Sequence, residues 1–195
     1  MSVIKSLLNS RYFFWAVLGV PALIMIRGYL SESLYYGELM HVSGEVSGRF
    51  LIITMAVTPL RFMLPNARWP MWLLHRRRYL GVATFGYALL HTLFYLQKTA
   101  ALPKILAESL MFEFWTGWLA FLIFIALAAT SNDRSARLLK AAWKKLHRWV
   151  YAAAALSFLH WIFIAFNFLP GLIHALVLAA LETIRIWKSR QRTAA

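Results

Sequence analysis

The sequence predicts an all-α integral membrane protein, a bundle of six transmembrane helices with both termini in the cytoplasm. Three observations carry that expectation. Hydrophobic residues make up 61% of the 195-residue chain and charged residues only 14%, against about 45–50% and 25% in soluble domains. The apolar residues gather into six runs, each long enough to cross a bilayer as a helix. The cations sit almost entirely in alternate connections between those runs.

Taken in order, the runs cover residues 11–30, 46–64, 79–97, 113–130, 148–166 and 171–187. The first follows Lys5 and Arg11 without an A-x-A cleavage site, so it reads as a retained span. The second is flanked by Arg49 near its outer end and Arg61 at its inner end. The third starts just after Arg76, Arg77 and Arg78 and carries His91 deep inside it. The fourth has Trp115 and Trp118 at its outer end, where amphipathic rings anchor a helix at the membrane surface. The fifth follows a basic stretch from Arg134 to Arg148 and carries His160. The sixth is opened by His174 and closed by Arg185, Lys188, Arg190 and Arg192. The connections are short, so a single transmembrane domain over residues 1–195 is expected.

All but four of the 21 Lys and Arg residues fall on one side of this arrangement. The exceptions, Arg27, Arg49, Lys98 and Lys104, share the other side with Glu32, Glu38, Glu45, Glu108 and Glu113. The positive-inside rule then puts both termini in the cytoplasm. A net charge of +14 is a feature of nucleic-acid-binding chains too, but these charges punctuate apolar runs and form no stripe on a soluble face, so nucleic acid is excluded as a partner. The absence of cysteine excludes disulfides, cysteine-ligated iron–sulfur clusters and covalently attached c-type haem. No G-x-G-x-x-G nucleotide fingerprint is present.

An ionisable ring inside an apolar span is costly and marks a function. His91 and His160 each lie roughly 18 Å along spans that run the same way through the bilayer, at about 1.5 Å per residue. Two neutral imidazoles at one depth are what a bis-histidine haem requires. Gly81, Thr84, Ala88 and His91 form one helical stripe, and Ala153, Ser157 and His160 another. Small residues there leave room for a flat macrocycle, although such stripes also serve plain helix packing in membranes. Haem is therefore expected to be b-type, in one or two copies.

His147 is a third candidate, at a depth suited to an inner haem. On one ideal helix its ring would sit about 140° around from that of His160. The third span offers it no histidine partner, only Arg77 and Arg78, with His75 just outside. Arg27 and Arg49 either neutralise haem propionates or snorkel, with Arg49 also spaced to pair with Glu45. The inner cluster of Arg76, Arg77 and Arg78 with Lys144, Lys145 and Arg148 is an orientation signal that could also bind a phosphate-bearing flavin or propionates. His41 reads as a solvated loop residue, and His174 as an interfacial packing residue.

The stretches TMAVTPLR (54–61), RRRYLGVATFGYALLH (76–91), LAFLIFIALAATS (119–131) and WKKLHRWVYAAAALSFLHW (143–161) resemble the MsrQ (YedZ) family. These are haem-binding membrane subunits of a bacterial periplasmic methionine-sulfoxide reductase system, within the ferric-reductase-like transmembrane group. The resemblance covers most of residues 45–165, and it places the group's histidines on His91, His147 and His160. It implies a multi-pass protein of the bacterial inner membrane that takes electrons from quinone or a cytosolic flavin reductase. It further implies delivery to a periplasmic MsrP-like molybdoenzyme, and an association with FMN for which no motif can be assigned. Larger members of the group continue into a FAD/NAD domain; this chain ends at KSRQRTAA, so a separate donor is expected. Two other functions fit the same residues: a free-standing transmembrane reductase of ferric iron or oxygen, and a small proton-coupled transporter with a histidine relay. Against the transporter, Pro21 and Pro59 form no matched pair of broken spans.

Overall fold

The computed structural model describes residues 2–194, and the side chains of residues 6–191. The Lys5 and Arg192 side chains, counted above among the orientation charges, lie outside the described part. Among the described residues ten helices follow in order: α1 (Ser2–Asn9), α2 (Arg11–Leu30), α3 (Tyr36–Met63), α4 (Trp69–Thr99), α5 (Leu102–Ser109), α6 (Phe112–Ala129), α7 (Asp133–Leu139), α8 (Ala141–His147), α9 (Val150–Ile164) and α10 (Leu169–Ala194). No strand occurs among the described residues.

Five of these helices, α2, α3, α4, α6 and α10, are long and apolar enough to cross a membrane. The predicted fifth span, 148–166, departs from expectation. It folds as the 15-residue α9, whose backbone turns extended at Ala165. That helix is about 22 Å long, short of a hydrocarbon core of roughly 30 Å. The chain before it is not one helix either. Arg148 and Trp149 donate to carbonyls three residues back, at 3.2 and 3.0 Å, and this tight turn separates α8 from α9. The angular argument relating His147 to His160 on one continuous helix therefore does not apply.

Helices α3 and α4 form the most extensive pair, α6 packs on α9, and α10 closes against α3 and α9. α3 can lie so close to α4 because the side chains it turns toward that helix are small: Ser43 and Ser47 are both buried. Their hydroxyls are satisfied locally or across the pair. Ser43 donates to the Leu39 carbonyl at 2.6 Å and Ser47 to the Thr84 carbonyl of α4 at 3.0 Å. With no water in a bilayer core, such internal pairing is obligatory.

One core cluster joins Leu51 and Met55 of α3 to Ala120, Phe124 and Leu127 of α6, Ala153, Ala154 and Phe158 of α9, and Leu178 of α10. Large apolar side chains also cover the outside, among them Leu23 at 67% exposed, Leu122 at 59% and Leu176 at 60%. A soluble domain would not present so much apolar surface; a bilayer solvates it.

α2 contains Pro21, which interrupts its backbone ladder. Tyr87 of α4 supports the backbone beside it. Its hydroxyl donates to the Leu18 carbonyl at 2.6 Å and accepts from the Ala22 N–H at 3.1 Å. These are the two groups that a regular helix would pair with each other.

Candidate functional site

The third span and α9 bring His91 and His160 together. Their ring centroids stand 6.1 Å apart with the rings nearly perpendicular, at 82°. Each ring is held by a backbone carbonyl from a neighbouring helix. His91 Nδ1 donates to the Met40 carbonyl of α3 at 2.8 Å, with the Ser43 hydroxyl 3.4 Å away. His160 Nδ1 donates to the Glu113 carbonyl of α6 at 2.5 Å. A carbonyl can only accept, so the proton sits on Nδ1 in both rings. Nε2 is left with its lone pair free, the arrangement in which a histidine ligates a metal.

Both residues line one cavity of about 470 Å³, within the roughly 300–1,000 Å³ typical of sites for small molecules and prosthetic groups. One end is apolar, formed by Leu51, Ala120, Phe121, Phe124 and Phe158. The opposite end, the mouth, carries His41, Glu45, Lys98, Lys104 and Glu108. The size and the rings suit a haem. Two imidazole–metal bonds of about 2 Å, plus the distance from each nitrogen to its ring centre, add to roughly 6 Å between centroids. The observed separation meets that requirement.

Two glycines make the arrangement possible. A Cβ on Gly117 would lie 2.7 Å from His160 Nδ1, and one on Gly44 would lie 3.1 Å from His91 Nδ1. Each ring thus rests directly on the backbone of the helix whose carbonyl holds it. Neither glycine was singled out from the sequence. The signal was present in part: Gly44 and Gly48 form a G-x-x-x-G pair, the ordinary mark of close helix approach. Gly48 does approach closely, its absent Cβ leaving room for the Trp161 ring.

The predicted small-residue stripes divide in two. Ala88 and Ser157 line the cavity. Gly81 and Thr84 instead face α3, with Thr84 buried and bonded to the Leu80 carbonyl at 3.0 Å, and Ala153 is fully buried in the core. The inner halves of both stripes pack helices together rather than making room.

The other candidates lie away from the ring pair. The His147 ring stacks on Trp143 with centroids 3.9 Å apart, and its Nε2 is 3.1 Å from the Thr130 hydroxyl. Partial burial, with the Arg78 and Arg77 charges nearby, holds it below the usual imidazole range and so neutral. No second histidine faces it among the described residues; His75 is exposed and bonded to the Met71 carbonyl at 2.8 Å. Arg77 reaches the Thr58 hydroxyl at 3.4 Å, and Arg78 pairs with Asp133 at 2.6 Å. Arg49 pairs with Glu45 at 2.7 Å, which confirms the i, i+4 spacing, and it does not line the cavity. His41 is at the cavity mouth, 4.0 Å from Glu45. His174 packs against Trp161, with ring centroids 5.1 Å apart.

Comparison with known proteins places this geometry in context. Residues 43–158, which contain His91 and both glycines and stop two residues short of His160, match the family described as "Ferric reductase like transmembrane component". The chain is 42% identical over 126 residues to a protein of Rhizobium meliloti (strain 1021), covering 63% of this chain and 56% of that relative's own length. It is 35% identical over 164 residues to one from Xanthomonas campestris pv. campestris (strain B100), covering 81% of this chain and 73% of the relative. It is 34% identical over 179 residues to one from Azospira oryzae, covering 86% and 74%. All three relatives bear the name protein-methionine-sulfoxide reductase heme-binding subunit MsrQ. No solved structure matches.

Proposed function

The chain belongs to the ferric reductase like transmembrane family, among the MsrQ haem-binding subunits, and from that premise we propose that it is a membrane b-type haem protein carrying electrons to an acceptor on its outer face. The observation that carries the reading is the His91–His160 pair, two rings 6.1 Å apart in one cavity, each with Nδ1 committed to a carbonyl. His91 and His160 hold the haem through Nε2. When bound, the haem supplies one-electron transfer.

The chain's own residues position that group and set its surroundings. The Met40 and Glu113 carbonyls fix the ring orientations and raise the basicity of the ligating nitrogens. Phe121, Phe124 and Phe158 exclude water from the inner end of the cavity. The proposal includes α9 as a sixth crossing helix, both termini on the cytoplasmic side of a bacterial inner membrane, and quinone or a cytosolic flavin reductase as donor. The acceptor is an MsrP-like periplasmic molybdoenzyme that reduces methionine sulfoxide; the relatives' names support that assignment. FMN enters by resemblance alone.

His147, with Arg77 and Arg78, is assigned to a second, inner haem. Its support is position, at the inner end of the bundle beside two guanidiniums. Ligation there requires the contact between Nε2 and Thr130 to open.

Reduced-minus-oxidised spectra of the detergent-purified protein from haem-replete cells test the reading. Low-spin b-type bands are expected, with one component lost in both His91→Ala and His160→Ala and a second lost in His147→Ala. A colourless wild type would overturn the haem assignment. Reduced protein that fails to reduce a purified MsrP-like partner, while reducing ferric chelates, would overturn the acceptor.

A further inference from the structure

The cavity has opposite ends of opposite character, and the polar end holds cations with unequal commitments. Lys98 lies seven residues after His91 on α4, hence on the same face and about 10 Å nearer the outer end. It forms no ion pair or hydrogen bond among the described residues. Lys104 lies on α5, the short helix that links α4 to α6 and so joins the helix bearing His91 to the helix supporting His160. Both lysines line the mouth.

The acids at the mouth are already engaged. Glu45 is paired with Arg49 at 2.7 Å, with His41 4.0 Å away. Glu108 accepts from the Tyr95 hydroxyl at 2.7 Å and stands 3.6 Å from Lys104. Arg49, which with Arg27 was a sequence candidate for neutralising cofactor carboxylates, is tied to Glu45 outside the cavity lining, and Lys98 is left as the uncommitted cation inside it. We propose that Lys98 and Lys104 form a carboxylate clamp that fixes the cavity's occupant by its anionic edge, with the apolar body directed inward. This rests on the haem reading, in which the carboxylates are the two propionates. The clamp then sets which edge of the ring faces outward, and hence its rotation between the two histidines.

The test compares haem with its dimethyl ester, which keeps the ring and iron but removes both carboxylate charges. The full-length chain, made without haem and purified in detergent, is titrated with each. The wild type is expected to prefer haem by roughly tenfold, the size of two partly exposed ion pairs. Lys98→Met with Lys104→Met brings the ratio near one while still binding the ester with unchanged affinity. Lys98→Arg with Lys104→Arg restores the preference. A methionine variant that keeps the wild-type preference, or a wild type with none, overturns the clamp and leaves the haem reading standing. A wild type that binds neither macrocycle overturns the haem reading, and the clamp with it.

Discussion

At the scale of single residues, the site depends as much on what two positions lack as on what two others carry. His160 cannot move back from Gly117 without giving up the carbonyl 2.5 Å from its Nδ1. A methyl group at Gly117 would stand 2.7 Å from the same nitrogen, closer than packed atoms tolerate. Gly117→Ala is therefore expected to lower haem content several-fold and to convert the remainder from a low-spin to a high-spin spectrum. Gly44→Ala, with its 3.1 Å approach, should shift the bands with less loss. Wild-type haem content and spectrum in Gly117→Ala, with monodisperse elution, would show that the ring does not rest on that backbone. The two histidines were legible in the sequence because an ionisable ring in an apolar run has a cost that demands a reason. The glycines were not, because a small residue in a membrane helix is ordinarily explained by packing.

At the scale of elements, α2 shows how the bundle accommodates a break. Pro21 weakens the ladder where lipid offers no substitute, and the Tyr87 hydroxyl adds bonds to the adjoining Leu18 carbonyl and Ala22 N–H from α4. Tyr87→Phe keeps the ring against Phe50, whose centroid is 5.3 Å away, and removes only the hydroxyl. The expected cost is about 1–2 kcal/mol, one side-chain hydrogen-bonding group in a membrane interior. Thermal inactivation in detergent reads it as an earlier transition with unchanged spectra; an unaltered transition would mean that α2 satisfies its own backbone. The short α9 makes a related point. Hydropathy marked a run over 148–166, but the helix covers Val150–Ile164. Hydropathy measures solvent preference, while the tight turn at Arg148 and Trp149 is set by backbone hydrogen bonds that an apolar run does not encode.

For the whole molecule, the charge distribution makes the orientation testable, and the absence of cysteine makes the test clean. Leu110, 85% exposed at the turn between α5 and α6, and the exposed Gln191 in α10 sit at opposite ends of the proposed topology. In spheroplasts a membrane-impermeant maleimide is expected to label Leu110→Cys, and to label Gln191→Cys only after lysis. The reverse pattern would invert the protein and turn the lysine-bearing mouth toward the cytoplasm.

The apolar runs, the sidedness of their charges and the outlying histidines are properties of position along the chain, acting through the solvent each residue prefers. They were readable without coordinates, and so was the family resemblance they carry. The ring pair, its carbonyl supports and its glycine cradle join residues 47 and 51 positions apart across four helices. Which face of one helix meets which face of another is decided by packing the whole bundle at once. That is why Lys98 and Lys104, rather than Arg49, emerged at the cavity mouth only when the helices were assembled.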